Sequence, residues 1–281
     1  VSVPSPSPAV LLPVRLVDPR GCWQATVTDW AREGTVLAYG TVGSWVPDSP
    51  ADAERLAAAD PGRWAALRGE RLRARFLASR FLLRSVVGAV AGTSWRAVRP
   101  ARTHLGRPYI EGLPGLRVSL SHSGPVLAVA VSTHGPVGVD TERVARGTTL
   151  PPGRMCTPAE AGRLAGLRED ERAAELLRLW TLKEAYTKAL GVGLRRSPRT
   201  FGFLPGVRGP VLMDEADEAD EADGVGGSGT QPRWSFGTRV VRSALPEPYL
   251  LSVAVAQPAE SGRAATLPGR SASDMSPLRT A

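Results

Sequence analysis

Trp180-Thr181-Leu182-Lys183-Glu184-Ala185-Tyr186-Thr187-Lys188-Ala189-Leu190-Gly191-Val192-Gly193-Leu194 is the stretch on which the reading of this 281-residue chain turns. Leu176, Leu179, Leu182, Tyr186 and Leu190 recur at helical spacing and define one apolar stripe. Glu184 and Lys188 stand one turn apart off that stripe, so an acid and a base face something other than the core. Lys183 is angled nearer the stripe, and Gly191 is placed to end the helix. Taken alone, Glu then Lys at i, i+4 is a helix-surface ion pair contributing ~0.2–0.5 kcal/mol. The chain upstream gives the pair more to do.

There, Gly138-Val139-Asp140-Thr141-Glu142 follows the alternating run 126–132 and opens a further strand. Successive strand side chains point to opposite faces, so Asp140 and Glu142 share one face and Thr141 takes the other. Two adjacent carboxylates repel unless a cation separates them. A hard divalent ion such as Mg²⁺ suits the pair, because it takes oxygen ligands and keeps waters that substrate phosphates can replace. Read without context, the same Asp-x-Glu is a solvated strand end.

These two segments resemble the signatures of the surfactin-type (Sfp-like) 4′-phosphopantetheinyl transferases, Gly-[Val/Ile]-Asp-x-Glu and Trp-[Ser/Thr]-x-Lys-Glu-[Ser/Ala]-x-x-Lys-x-x-Gly-x-Gly-Leu. Two more motifs precede them in the family's order. Gly106-Arg107-Pro108 is similar to its Gly-[Lys/Arg]-Pro segment, and Ser119-Leu120-Ser121-His122-Ser123 to its Asn-[Ile/Leu]-Ser-His-Ser. Thr141 departs from the pattern, standing where an aliphatic residue is usual. The resemblance covers residues from about 70 to 200.

The resemblance implies an α+β fold of two similar halves about a pseudo-two-fold, with the active site between them. It implies transfer of the phosphopantetheine arm of coenzyme A to a serine of an apo acyl or peptidyl carrier protein, releasing 3′,5′-ADP. Polyketide or nonribosomal peptide assembly is the expected setting. Asp140 and Glu142 would hold Mg²⁺, with Mn²⁺ as a substitute, and Glu184 would be a third ligand, the general base for the serine, or both. Lys188 would neutralise or protonate the leaving phosphate, and Lys183 would reach another phosphate or the helix beneath. Ser121, His122, Arg107 and Arg80 would contact coenzyme A, Arg80 from a basic helix on which Arg68, Arg71, Arg73, Arg75 and Arg84 are also spread. The chemistry agrees independently: splitting a pyrophosphate asks for charge neutralisation and in-line positioning more than for covalent work.

Composition sets the wider frame. The formal charge is +8, and seven acids are concentrated in residues 214–223, so the basic excess elsewhere is nearly doubled. That excess suits anionic partners, coenzyme A and acidic carriers among them. Nucleic acid would satisfy charge alone, but no nucleic-acid motif is present. Two isolated cysteines, Cys22 and Cys156, indicate neither a zinc site nor a disulfide framework. No apolar run approaches the ~20 residues of a membrane span, and the Pro/Ser-rich start has no basic n-region, so a cytoplasmic protein is expected.

The organisation expected is a flexible start (1–16), an N-terminal half (17–136), a C-terminal half (137–257) carrying a flexible acidic and Gly-rich insertion (214–230), and a flexible tail (258–281). Strands are expected over 35–46, 116–132, 138–144, 234–241 and 249–256, with helices over 64–91 and into residue 190. Thr157-Pro158-Ala159-Glu160 is a capping box with proline at the first helical position. A monomeric pseudodimer follows from the family's plan. The competing reading is a noncatalytic coenzyme A or nucleotide module, which would not need Glu184.

Overall fold

The computed structural model describes residues 13–146, 151–206, 209–214, 233–242 and 247–257. Its first part runs β1 (Val14–Leu16), α1 (Gln24–Glu33), β2 (Thr35–Thr41), the short helices α2 (Val42–Trp45), α3 (Pro50–Ala58) and α4 (Pro61–Ala66), and then α5 (Glu70–Ala91). The paired strands β3 (Pro100–Arg102) and β4 (Pro108–Ile110) follow, then β5 (Arg117–Ser123) and β6 (Val126–Ser132). The second part runs β7 (Val137–Arg143), α6 (Pro152–Met155), α7 (Pro158–Ala165), α8 (Glu169–Leu190), the paired strands β8 (Phe201–Gly206) and β9 (Gly209–Asp214), β10 (Trp234–Val241) and β11 (Tyr249–Ala256).

The two parts share one plan, and the fold is α+β. Each has a strand, a long helix, a small antiparallel pair and then two more strands, the last of which pairs antiparallel with both the first strand and the one just before it. Thus β6 lies between β2 and β5, and β11 lies between β7 and β10. The long helices α5 and α8 are both 22 residues. This repetition of topology is invisible in residue identities.

Strand alternation decides the layering. On β6, Leu127, Val129 and Val131 pack with Leu82, Val86 and Val87 of α5, whereas Val126, Ala128 and Ala130 pack with Val137, Val139, Leu251 and Val253 of the other sheet. On the far side, α8 packs Leu179, Leu182, Ala185 and Tyr186 with Phe201, Phe236 and Ala254. Two sheets therefore lie face to face with a long helix outside each. The edges β5 and β7 run side by side at the seam, where Ser119 Oγ accepts from Val139 N at 3.1 Å.

The expected strand over 35–46 stops early, because Thr41 caps a helical turn through its side chain and Val42 turns away. The expected helix over 64–91 is two helices. Leu67 leaves α4 in an extended conformation, and Gly69, at φ 86°, starts α5 afresh. The strand-like run expected over 116–132 forms as a hairpin, turning at Gly124 where Gly124-Pro125 reads as a turn signal and leaving His122 near a strand end. The capping box at Thr157 and Glu160 forms as read, and Gly191 ends α8 in the left-handed conformation. The expected segments 1–16 and 214–230 fall mostly outside the described residues, and 258–281 falls wholly outside them. Among the described residues no helix is long and apolar enough to cross a membrane.

Candidate active site

β7 and α8 approach so closely that position 138 has room only for glycine. A Cβ there would lie 1.8 Å from the Ala185 carbonyl oxygen. That contact turns Gly138, Asp140 and Glu142 toward the α8 side of the sheet and sends Val139 into the core between the sheets. Asp140 is buried, and its Oδ1 accepts from Lys188 Nζ at 2.6 Å and from Ser121 Oγ at 2.8 Å. Glu142 Oε2 accepts from Ser123 Oγ at 2.7 Å. Lys188 Nζ donates also to Ser121 Oγ at 3.0 Å and to the Val139 carbonyl at 3.2 Å.

From residue 181 to residue 189 α8 is buried on every side except at Glu184 and Lys188. Glu184 feels the other carboxylates. Burial first, and then the charge of Asp140, push its carboxyl up to about 7, with Glu142 adding to the rise and Lys188 opposing it. An acid poised near neutrality is one that can take a proton from a hydroxyl at working pH.

Beside this group lies a cleft of about 690 Å³ with Asp140 and Lys188 on one wall and the N-terminal part on the other. Arg63, Arg75, Arg80, Arg84, Arg102 and Arg107 all line it. Arg107 rests against Gly191, where a Cβ would come within 3.0 Å of its Cδ, so the end of α8 is keyed to the loop before β4. Arg80 lies over the Phe76 ring and donates to Asp60 Oδ2 at 2.9 Å; burial pulls its guanidinium down to about 10 against the effect of Asp60. His122, near the end of β5, also lines the cleft, where partial desolvation and then the charge of Arg75 lower its pKa.

Ser121, His122, Arg80, Arg107, Asp140 and Lys188 thus stand on one cleft, with Glu184 and Glu142 behind its wall. Lys183 does not. It is 1% exposed, and its Nζ donates to Glu160 Oε2 at 2.7 Å and to the carbonyls of Met155, Pro198 and Phe201. Next in sequence to Glu184, it leaves the helix about 100° away and points into the junction of α7 and β8. Of the two places expected for Lys183, the phosphate contact is corrected and the neighbouring helix is where it goes: its ammonium is taken up by Glu160 of α7 and by three carbonyls, so it joins α8 to its neighbours.

The residues fit a hard cation without caging one. Asp140 Oδ2 is buried with no hydrogen-bond partner among the described residues, and the carboxylates of Asp140 and Glu142 offer the oxygen ligands a hard cation takes. Among the described residues, however, no three His, Cys, Asp or Glu side chains are grouped tightly enough to enclose a metal on their own. Lys188 takes up Asp140 Oδ1 instead.

Sequence reasoning missed Ser123 as a partner of Glu142 and treated Arg84 as one scattered arginine. Alternation was the signal for the first, since Ser119, Ser121 and Ser123 share a strand face. Arg84 is only 6% exposed, and its Nε is buried without a partner. Burial and the neighbouring Arg55 and Arg99 lower its pKa, marking it as a cation that no acid among the described residues pairs with.

Residues 136–236 match the family model described as the 4′-phosphopantetheinyl transferase superfamily. A 4′-phosphopantetheinyl transferase of Bacillus subtilis is 30% identical over 120 residues, 43% of this chain and 53% of that protein. The 4′-phosphopantetheinyl transferase HetI of Nostoc sp. (strain PCC 7120) is 32% identical over 129 residues, 44% and 54% of the two chains. The L-aminoadipate-semialdehyde dehydrogenase-phosphopantetheinyl transferase of Eremothecium gossypii is 32% identical over 172 residues, 58% and 62% of the two chains. This chain thus spans about half the length of the first two relatives. A solved holo-(acyl-carrier-protein) synthase from Bacillus anthracis in complex with CoA (3′,5′-ADP) overlaps 45% of this chain and 98% of its own, at TM-score 0.33 and 20% identity. The likeness to Sfp-like transferases read from the motifs is borne out by the family match and the Bacillus relatives.

Proposed function

We propose that this chain, Sfp-like in its motifs and matched over residues 136–236 by the 4′-phosphopantetheinyl transferase superfamily, is itself such an enzyme. It transfers the 4′-phosphopantetheine of coenzyme A to a serine of an apo carrier protein. The observation that carries the reading is the Asp140–Lys188 ion pair on the wall of a cleft ringed with arginines, with Glu184 near enough for the charges of Asp140 and Glu142 to raise its carboxyl.

In this reading the serine oxygen of the carrier forms a new bond to the phosphorus that bears pantetheine. The pyrophosphate P–O bond breaks, and 3′,5′-ADP departs with the bonding pair. Glu184, with its carboxyl near 7, accepts the serine proton. Lys188 leaves Asp140 to meet charge on the departing phosphate. The arginines hold the nucleotide phosphates, Arg107 and Arg80 with Ser121 and His122 among the contacts. Asp140 and Glu142 would hold a Mg²⁺, with Glu184 as a further ligand, and the ion would supply charge neutralisation at the pyrophosphate oxygens. Mn²⁺ would substitute. Polyketide or nonribosomal peptide carriers are the partners proposed, and the protein would act as a monomer whose two parts form the cleft. Cys22 is exposed and unpaired, which suits the reducing cytoplasm.

Intact-protein mass spectrometry of apo carrier proteins incubated with this protein and coenzyme A, with Mg²⁺ or with chelator, tests the reading. A Mg²⁺-dependent gain of one phosphopantetheine on the carrier serine is expected. No gain on any carrier, with coenzyme A still bound, would turn the assignment to the noncatalytic module.

A further inference from the structure

The seam between β5 and β7 carries a regular set of hydroxyls. Ser119, Ser121 and Ser123 are buried on one face of β5. Ser119 Oγ accepts from Val139 N at 3.1 Å and Ser121 Oγ from Thr141 N at 3.4 Å, so serine side chains take up amides along the edge of β7 that β11 does not cover. The last two serines also donate forward, Ser121 to Asp140 Oδ1 and Ser123 to Glu142 Oε2. Equal two-residue spacing on both strands lets neighbouring serines serve neighbouring carboxylates.

The consequence lies in what remains free. Each serine engages one oxygen of its carboxylate. Asp140 Oδ2 is left buried without a partner, and no hydrogen bond is drawn to Glu142 Oε1 among the described contacts. A carboxylate tethered at one oxygen keeps its plane fixed and presents the other. Hydrogen bonding from a second layer of this kind orders carboxylates that bind cations, and its loss typically weakens binding 10- to 100-fold.

We infer that Ser123 is a positioning residue for a divalent-cation site at Asp140 and Glu142, fixing Glu142 so that Oε1 is free to act with Asp140 Oδ2. The inference rests on the cation reading of those carboxylates given above. It makes the N-terminal part a builder of the site, because Ser123 lies outside the segment 136–236 that matches the family model.

The test is Mn²⁺ binding to the full chain by electron paramagnetic resonance, without coenzyme A, so that turnover plays no part. Ser123→Ala should bind Mn²⁺ at least ~10-fold more weakly. Ser123→Thr should restore binding to near the parent value, while Ser123→Val, of the same shape as threonine without the hydroxyl, should not. The Thr and Val pair keeps the test decisive if the alanine variant fails to fold. Mn²⁺ affinity of the Ala and Val variants equal to the parent's would overturn the positioning role. A folded parent chain that binds no Mn²⁺ would instead overturn the cation reading itself, and the inference with it.

Discussion

Adjacent residues of α8 carry opposite duties, and the physical difference between them is burial. Glu184 is half-buried beside Asp140, and burial first and then that neighbour's charge raise its carboxyl from 4.5 to about 7. A raised acid favours the folded state only while protonated. The stability it confers is complete below 4.5 and is lost as pH rises through about 7, a change of up to ~3 kcal/mol. Glu184→Gln cannot ionise, so in chelator at pH 8 it should melt at a higher temperature than the parent, with the difference gone at pH 4. The same variant should lower kcat at least ~10²-fold. A variant that melts lower at pH 8, or that turns over normally, would refute the assignment. Lys183 is the reverse case: a fully buried ammonium paired to Glu160, whose two oxygens also accept from Thr157 N and Phe203 N. Lys183→Met should cost ~3–5 kcal/mol in denaturant unfolding, since it strands a buried carboxylate. Adding Glu160→Gln should recover part of that loss. The lysine-glutamate dipeptide was legible as a motif, and the apolar stripe put Lys183 nearer the core than Glu184, but the sequence could not show that the Lys183 ammonium is wholly taken up by acceptors inside the protein. That depends on what α8 packs against through α7 and β8, a tertiary fact.

At the scale of elements, a glycine and a helix cap place the chemistry. Gly138 lets β7 lie against α8 without a side chain between them, and this brings Asp140 within reach of Lys188. Gly138→Ala must push the Ala185 turn of α8 away. We expect a loss of ~3 kcal/mol or more in denaturant unfolding, from overpacking against backbone that cannot rotate aside. Surviving folded protein should lose activity by ~10²-fold, as displacement of about 1 Å does in positioned sites. Wild-type stability in this variant would mean that the two elements do not make the close contact. The elements that were legible had local signals: the capping box at Thr157, the glycine at 191, and the apolar run of β6. Those misread were broken by geometry that composition does not advertise. Gly69 divides a continuous arginine-rich amphipathic run into α4 and α5, and Thr41 turns an apolar strand into a helical turn. The shared plan of the two parts was likewise beyond residue identities, because repetition of topology survives when side chains no longer match.

For the whole molecule the dominant unpaid term is charge. Six arginines converge on one cleft, and of these Arg80 is matched by Asp60, whereas Arg84 has a buried Nε with no partner and two further arginines near it. Desolvated like charges destabilise the free protein and can be compensated by a polyanion that enters between the two parts. Two opposite effects of one substitution follow. Arg84→Met removes a buried cation while keeping the apolar stem, so the ligand-free protein should melt at a higher temperature than the parent. It should also bind 3′,5′-ADP ~10-fold more weakly, because a charge-assisted contact worth ~1.5–3 kcal/mol is gone. In the parent, 3′,5′-ADP should raise the melting temperature by mass action. That rise should shrink as NaCl is taken to ~0.5 M, where screening reaches only a few ångströms. Calorimetry and thermal melts on parent and variant separate the cases. If the variant both melts lower and binds unchanged, Arg84 is a packing residue whose charge is met elsewhere. If it melts higher and binds more weakly, the cleft trades stability for anion affinity, and the basic excess of the chain serves a polyanion bound there.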